Sequence, residues 1–354
     1  MKKYLHIFEQ TAEPLTSSLI KMYNSDLNLH DYNTFYTKDK IIYENNKDEK
    51  NVFYDTDMVK VINDEFVNYD YIFIHAMNFS ITELLKIRKE AKQKFIWLTW
   101  GHDLYGYDSN SFIMFLKQIK LRMRIALLKE IYGLGYTFEY DAIQAQKLLP
   151  KTVKTLHIPY LWSFKKGDSF DGCSKDHSKL NVLIGHCGFN FIEHIKVMKQ
   201  LKKIYNENMV INLVLSYGGT EKYIEKVKKY AFNNFDKADI NIIDKKMSER
   251  EYTEFLSTID VAIFEYKHSC GLGNIYRLLH LGKKIYLNKN GIIYKGLSSV
   301  EKMPLFKTED IGKSFDDFSN PLSAKEEKIC KDFAFYYASD ESVLKLWSDF
   351  FNKQ

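Results

Sequence analysis

Apolar residues along this chain fall into short runs, separated by stretches in which they recur at every third or fourth position. Tyr4 to Phe8, Tyr71 to His75 and Phe95 to Trp100 are near-continuous apolar runs, the pattern of strands covered on both faces. Between them, Leu15 to Asn24 and Ile81 to Gln93 space their leucines and isoleucines for one face of a helix. The alternation predicts a parallel sheet dressed with helices, an α/β architecture. From Asn181 the rhythm restarts. Strands are expected at Asn181 to Gly185, Val210 to Ser216, Ile240 to Ile243, from Val261, and at Lys284 to Asn288. Helices are expected at Glu193 to Tyr205, Glu221 to Phe232, Ser248 to Ser257 and Ile275 to Leu281. Residues 165–179 interrupt the two series with Lys165-Lys166-Gly167-Asp168-Ser169 and Asp171-Gly172-Cys173-Ser174-Lys175, the composition of a linker. The expected organisation is a first doubly wound domain over 1–164, a linker over 165–179 and a second doubly wound domain over 180–320. Helices over 321–354 are expected to pack across the junction.

Two glycine turns carry most of the chemistry. Phe95-Ile96-Trp97-Leu98-Thr99-Trp100 runs into Gly101-His102-Asp103-Leu104-Tyr105. Val261-Ala262-Ile263-Phe264-Glu265 runs, after Tyr266 to Cys270, into Gly271-Leu272-Gly273-Asn274 and a helical segment. A buried strand ending in a glycine turn presents backbone N–H groups at a helix N-terminus, a seat for phosphate. Two such units predict two facing α/β domains with a ligand cleft between them, the plan of a nucleotide-sugar glycosyltransferase. Lys267, His268, Ser269 and Arg277 surround the second turn and complete a candidate diphosphate cradle, unless Gly271 and Gly273 serve only the tight turn. Gly185, His186 and Gly188 form the first turn of the second domain. Glu193 opens its helix, either as a donor contact or as an acidic first-turn residue. Ser216, Tyr217 and Gly218 follow the next strand and offer a base or ribose contact, or simply a loop.

On the first domain, Asp103 and His75 stand at the ends of buried strands, where ligands meet open sheets. An inverting transfer needs a base for the acceptor hydroxyl. Asp103 is the first choice and His75 the second; a helix cap and a core histidine are the structural alternatives. Gly101, His102 and Tyr105 fall on the same acceptor side.

Composition narrows the class. The 354 residues, 45% hydrophobic and 27% charged, suit two globular domains. A net charge of +5, spread through mixed-sign clusters, offers no basic stripe for nucleic acid but suits an anionic small ligand or membrane surface. The 4 cysteines lie far apart with no C-x-x-C spacing, which predicts free thiols and no zinc site. Lys2 and Lys3 precede a run broken by His6 and Glu9, so the N-terminus reads as a strand and not a signal peptide. No run reaches the roughly 18 apolar residues of a membrane span. Phe112 to Ile131 mixes bulky apolar residues with Lys117, Lys120, Arg122, Arg124 and Lys129. That is either a helix for an anionic membrane interface or a domain helix with a basic edge.

Trp97-x-x-Trp100-Gly101-x-Asp103-Leu104-Tyr105 resembles a signature of the bacterial TDP-4-acetamido-4,6-dideoxygalactose transferases. Collinear matches follow in Phe73-x-His75, Gly185-x-x-Gly188 with Glu193-His194-Ile195, and Tyr223-Ile224-Glu225-x-Val227. Asp260-x-x-x-Phe264, Gly271-x-Gly273 and Leu287-Asn288 complete the series, from about residue 70 to 290. The resemblance implies a metal-independent, cofactor-free transferase of the glycosyltransferase B (GT-B) fold, two facing Rossmann-like domains. It further implies a dTDP-sugar donor on the second domain, a polyprenyl-diphosphate-linked saccharide acceptor on the first, and a peripheral place on the cytoplasmic membrane face. The chain departs from the family pattern at His186-Cys187-Gly188-Phe189, at Ile192 and at Lys267-His268-Ser269-Cys270, all flanking the expected donor site. Two other readings therefore stay open. One is a transferase using a UDP-, GDP- or CMP-sugar in capsule or lipopolysaccharide assembly; the other is a nucleotide-sugar-binding protein without catalysis.

Overall fold

The computed structural model describes residues 2–8, 13, 15–101, 103–105, 111–161, 179–267 and 269–353. His102, His268, Cys173 and all of the expected linker except Lys179 lie outside them. The chain divides into two units, residues 1–163 with 337–354, and residues 164–336.

The first unit holds seven strands: β1 (Tyr4–Phe8), β2 (Asn33–Thr37), β3 (Val52–Tyr54), β4 (Tyr71–His75), β5 (Phe95–Leu98), β6 (Gly133–Tyr136) and β7 (Lys154–His157). They form one parallel sheet in the order β3-β2-β1-β4-β5-β6-β7. β1, β4 and β5 are buried at every position, as their apolar runs require. Alternate residues feed two cores. Ile7, Ile74, Trp97 and Leu134 enter one with Leu84, Leu121 and Ile125 from covering helices. Tyr4, Phe8, Phe73 and Leu98 enter the other, closed by Val343, Trp347, Phe350 and Phe351 of the last helix, Asp340–Lys353. The chain thus returns its C-terminal helix to the first unit, where Trp347 Nε1 donates to the Pro159 carbonyl at 2.9 Å.

The second unit holds β8 (Leu180–Ile184), β9 (Met209–Val214), β10 (Ile240–Ile243), β11 (Val261–Phe264), β12 (Lys284–Leu287) and β13 (Phe306–Lys307). They too form a parallel sheet, in the order β10-β9-β8-β11-β12-β13. Strand order reverses direction between β8 and β11 here, and between β1 and β4 in the first unit. These are the switch points where loops diverge and open α/β sheets bind ligands.

One expected helix is broken. Ile81 to Gln93 folds as Ile81–Lys86 and Lys89–Lys92, with Ile87 and Arg88 extended. Asn63 takes over both sides of the break: its Nδ2 donates to the Lys86 carbonyl and its Oδ1 accepts the Arg88 N–H. A side chain from elsewhere in the unit thereby substitutes for helical bonding, and no periodicity records it. The other helix starts follow local chemistry: Ser80 with Glu83 and Ser248 with Glu251 form capping boxes, and Thr220 caps helix Glu221–Asn234.

Candidate functional site

In the second unit the loops after β8, β9 and β11 converge on His186. Gly185, with φ +66, turns the chain out of β8; a Cβ there would lie 2.3 Å from Ile192 Cγ2. Gly188 donates its N–H to the Tyr217 carbonyl at 2.8 Å, joining the β8 and β9 loops. Ser216 and Tyr217 lead directly into the paired glycines of the β9 loop. Gly218 and Gly219 both have positive φ, and a Cβ on Gly219 would lie 2.0 Å from the Gly188 carbonyl oxygen. Only glycine permits both the conformation and the approach. Gly219→Ala should therefore cost about 2–3 kcal/mol of stability. Thermal denaturation checks this, and a loss under about 0.5 kcal/mol would show that the two loops part freely.

Helix Leu272–His280 begins at Gly271, which has φ 69 and provides no side-chain cap. Leu272, Gly273 and Asn274 form its first turn; Asn274 N–H donates to the Gly271 carbonyl at 3.0 Å, which leaves the Leu272 and Gly273 N–H groups as the open donors of the helix start. His186 packs against this start: a Cβ on Gly271 would lie 2.7 Å from His186 Cε1 and 3.0 Å from Nδ1. The His186 ring is buried and its Nδ1 has no hydrogen-bond partner. Burial lowers its pKa to about 4, so the ring is neutral near pH 7. Tyr266, edge-on to His186 at 5.5 Å between centroids, donates its hydroxyl to the Cys270 carbonyl and braces the loop.

The other expected donor residues are placed less uniformly around this point. Lys267 is exposed and Ser269 half-buried in the same loop, and His268 lies outside the described residues. Arg277 lies further along the helix, and its guanidinium bonds Glu249. Glu193 is exposed in the left-handed region, φ 62, and makes no capping bond to helix His194–Leu201. A non-glycine residue held there stores strain. Glu265, at the end of β11, was not anticipated. Its buried carboxylate accepts from Asn288 Nδ2, from Thr308 Oγ1 and from Lys196 Nζ, tying the segments after β12 and β13 and helix His194–Leu201 to the end of β11.

In the first unit, the turn after β5 is built on Asp103. Its Oδ2 accepts from Met77 N–H at 2.8 Å and Trp97 Nε1 at 2.6 Å. Its Oδ1 accepts from Thr99 Oγ1 at 3.1 Å and Trp100 N–H at 3.0 Å. Gly101, φ 83, completes the turn and its carbonyl accepts the Leu104 and Tyr105 N–H groups. Asp103 is thus a buried fastener of the β4 and β5 loops, with four donors on two oxygens.

His75 lies inside a directed hydrogen-bond chain. Asn33 Oδ1 can only accept, so His6 Nε2 donates to it at 2.8 Å and His6 Nδ1 accepts. His75 Nε2 therefore donates to His6 Nδ1 at 3.1 Å, and Tyr160 donates its hydroxyl to His75 Nδ1 at 3.3 Å. Trp100 Nε1 donates in turn to the Tyr160 oxygen. Burial lowers the pKa of His6 to about 3 and that of His75 well below the usual histidine value. Every polar atom of the two rings is engaged, so this chain fixes the Trp100 side chain in place.

A carboxyl that sequence reasoning passed over stands beside Asp103. Asp141 lies in the first turn of helix Glu139–Gln146, just after β6, and accepts the Tyr105 hydroxyl on Oδ1 at 2.7 Å. Its Oδ2 has no hydrogen-bond partner among the described residues. Burial, with the Asp103 charge adding to it and the Tyr105 bond opposing it, raises its pKa from 3.8 to about 7. Among the described residues, no group of three or more His, Cys, Asp or Glu is placed to hold a metal ion.

A family model described as 4-alpha-L-fucosyltransferase, glycosyl transferase group 56, matches residues 19–336. No curated protein matches the chain. Among solved structures, Anabaena Alr3699/HepE in complex with UDP superposes with a TM-score of 0.71 at 12% identity, covering 100% of both chains. A Rickettsia africae glycosyltransferase gives 0.67 at 10% identity, over 99% of this chain and 98% of that one. The α,α-trehalose 6-phosphate synthase of Burkholderia multivorans gives 0.63 at 9% identity, over 100% and 96%. At such identities the likeness is one of fold, and that fold is GT-B.

Proposed function

The chain belongs to glycosyltransferase group 56, the 4-alpha-L-fucosyltransferase family, and from that premise we propose a specific donor, acceptor and base. The protein is a GT-B glycosyltransferase. In our reading it moves a deoxyamino sugar from a dTDP-sugar to a polyprenyl-diphosphate-linked saccharide, on the cytoplasmic face of a membrane where surface polysaccharide is assembled. The observation that carries the donor half is the unpartnered, buried Nδ1 of His186 at the start of helix Leu272–His280. A diphosphate seated there receives helix N–H groups and raises the proton affinity of the ring, which then donates to the departing oxygen. The Anabaena protein was solved with UDP and with UDP-glucose, which supports a nucleotide-sugar donor for this chain as well.

For the acceptor half, Asp141 is the base. Its proton affinity near neutrality and its unengaged Oδ2 suit proton abstraction from an acceptor hydroxyl. The acceptor oxygen bonds to the anomeric carbon as its proton passes to Asp141, and the bond from that carbon to the diphosphate breaks. Such a base serves an inverting transfer. Asp103, saturated by its four donors, positions the turn and raises the Asp141 pKa through its charge. His75 supports Trp100 through Tyr160.

Thermal stabilisation by dTDP, UDP, GDP and CMP tests the donor. A nucleotide at about 100 times its Kd adds about 2.7 kcal/mol to the stability of the unit that binds it. The expected result is a rise in melting temperature with dTDP alone. Stabilisation by UDP or GDP would replace the donor assignment, and silence from all four would remove the cradle at His186.

A further inference from the structure

Helix Ser111–Leu127 has two apolar faces. Leu121, Ile125 and, just past its end, Leu128 are buried against Leu84, Ile87 and Ala91. Phe112, Phe115, Leu116, Ile119 and Met123 are between 41% and 66% exposed. At about 3.6 residues per turn the two sets fall on opposite sides of the helix. An ordinary surface helix keeps its outer face polar, so a bulky apolar stripe there marks an interaction surface. Lys120 and Arg122 flank the stripe on either side, and neither forms an ion pair among the described residues. Lys117 adds charge on the Lys120 side, and the helix contains no acidic residue. Among the described residues no helix is long and apolar enough to cross a membrane.

We propose that this helix is an interfacial anchor that lies flat in an anionic lipid surface, with Phe115, Leu116, Ile119 and Met123 sunk among the acyl chains. The arrangement matches that occupant in both of its parts. The apolar arc faces the chain region, while the long basic side chains on its two edges reach back to the phosphates, as snorkelling lysine and arginine do. Basic side chains on both edges of the stripe, on a helix without an acidic residue, complement an anionic lipid surface. The inner side of the same helix carries Arg124, whose charge acts on Asp103 at the acceptor turn. The helix therefore sets the acceptor site of its own unit close to the lipid surface. The docking does not depend on the donor assignment, so the two stand or fall separately.

Partition of the full chain to phosphatidylcholine vesicles, with and without phosphatidylglycerol, tests this directly. The wild-type protein should bind the anionic vesicles, and added salt should weaken the binding. Phe115→Ser with Ile119→Ser should lower the partition at least about tenfold. Lys120→Ala and Arg122→Ala should each lower it about fivefold on anionic vesicles only. These side chains are exposed, so an unchanged melting temperature will confirm that the variants fold. Three results would overturn the proposal: no wild-type binding, equal binding by the Phe115/Ile119 variant, or a wild-type dimer in light scattering that this variant dissociates. Donor-dependent activity on a water-soluble acceptor, measured in parallel, reports on the transferase reading whichever way the vesicles behave.

Discussion

Asp141→Asn should lower kcat by about 10²- to 10⁴-fold while leaving nucleotide binding intact. The side chain is replaced by one of the same shape that still accepts the Tyr105 hydroxyl, so orientation is kept and only the basic oxygen is lost. The wild-type enzyme needs Asp141 ionised, and its pKa of about 7 makes kcat/KM rise with pH through that region. Tyr105→Phe removes the bond that holds the pKa down, so the acidic limb should move to higher pH. Stability should move in the opposite sense to activity. A carboxyl whose pKa is raised on folding favours the folded state below its unfolded value and loses that contribution as pH climbs through the folded one. From 3.8 to about 7 is roughly three units, or about 4 kcal/mol of strain above pH 7 at about 1.4 kcal/mol each. Asp141→Asn should thus melt higher than wild type at pH 8, the trade expected at a site shaped for chemistry. Retention of more than about a tenth of kcat, judged against the usual contribution of a general base, would remove Asp141 from that role.

Asp103→Ala should destabilise the first unit by about 4 kcal/mol, among the largest effects available to one substitution. Removing the carboxylate leaves the Met77 and Trp100 N–H groups, Trp97 Nε1 and the Thr99 hydroxyl without their acceptor in a buried site. For a unit of this size the melting temperature should fall by roughly 10 °C. Asp103→Asn should also destabilise, because its amide nitrogen must face two of the four donors. The contrast with Asp141→Asn is diagnostic: one carboxyl holds the turn together, and the other sits in it at a cost. A melting temperature within about 2 °C of wild type, half a kcal/mol or so, would show that other contacts hold these loops.

Much of the first-order organisation was legible because parallel strands covered on both faces must be apolar at nearly every position. β1, β4, β5 and β11 announce themselves in this way. Three of the strands that escaped notice break that rule for visible reasons. β2, Asn33-Thr34-Phe35-Tyr36-Thr37, alternates and spends Asn33 on His6 and Leu29. β6, Gly133-Leu134-Gly135-Tyr136, needs its glycine: a Cβ on Gly135 would lie 2.2 Å from Leu98 Cδ2. β7 is the polar edge strand of its sheet.

Local sequence determined where strands end in glycine turns and where helices begin, because steric limits on φ and the need of a helix start for acceptors act within a few residues. It therefore pointed to Gly185, Gly218 and Gly271, and to the Gly101–Asp103 turn. Only the tertiary structure decided what the polar residues of those turns do. Whether a carboxylate is a fastener or a base depends on how many donors reach it and how much water is excluded, and both are set by how the turns and helices fold around it. Met77 and Trp97 close on Asp103 and occupy it, whereas Tyr105 reaches Asp141 from 36 residues away and leaves one of its oxygens unengaged.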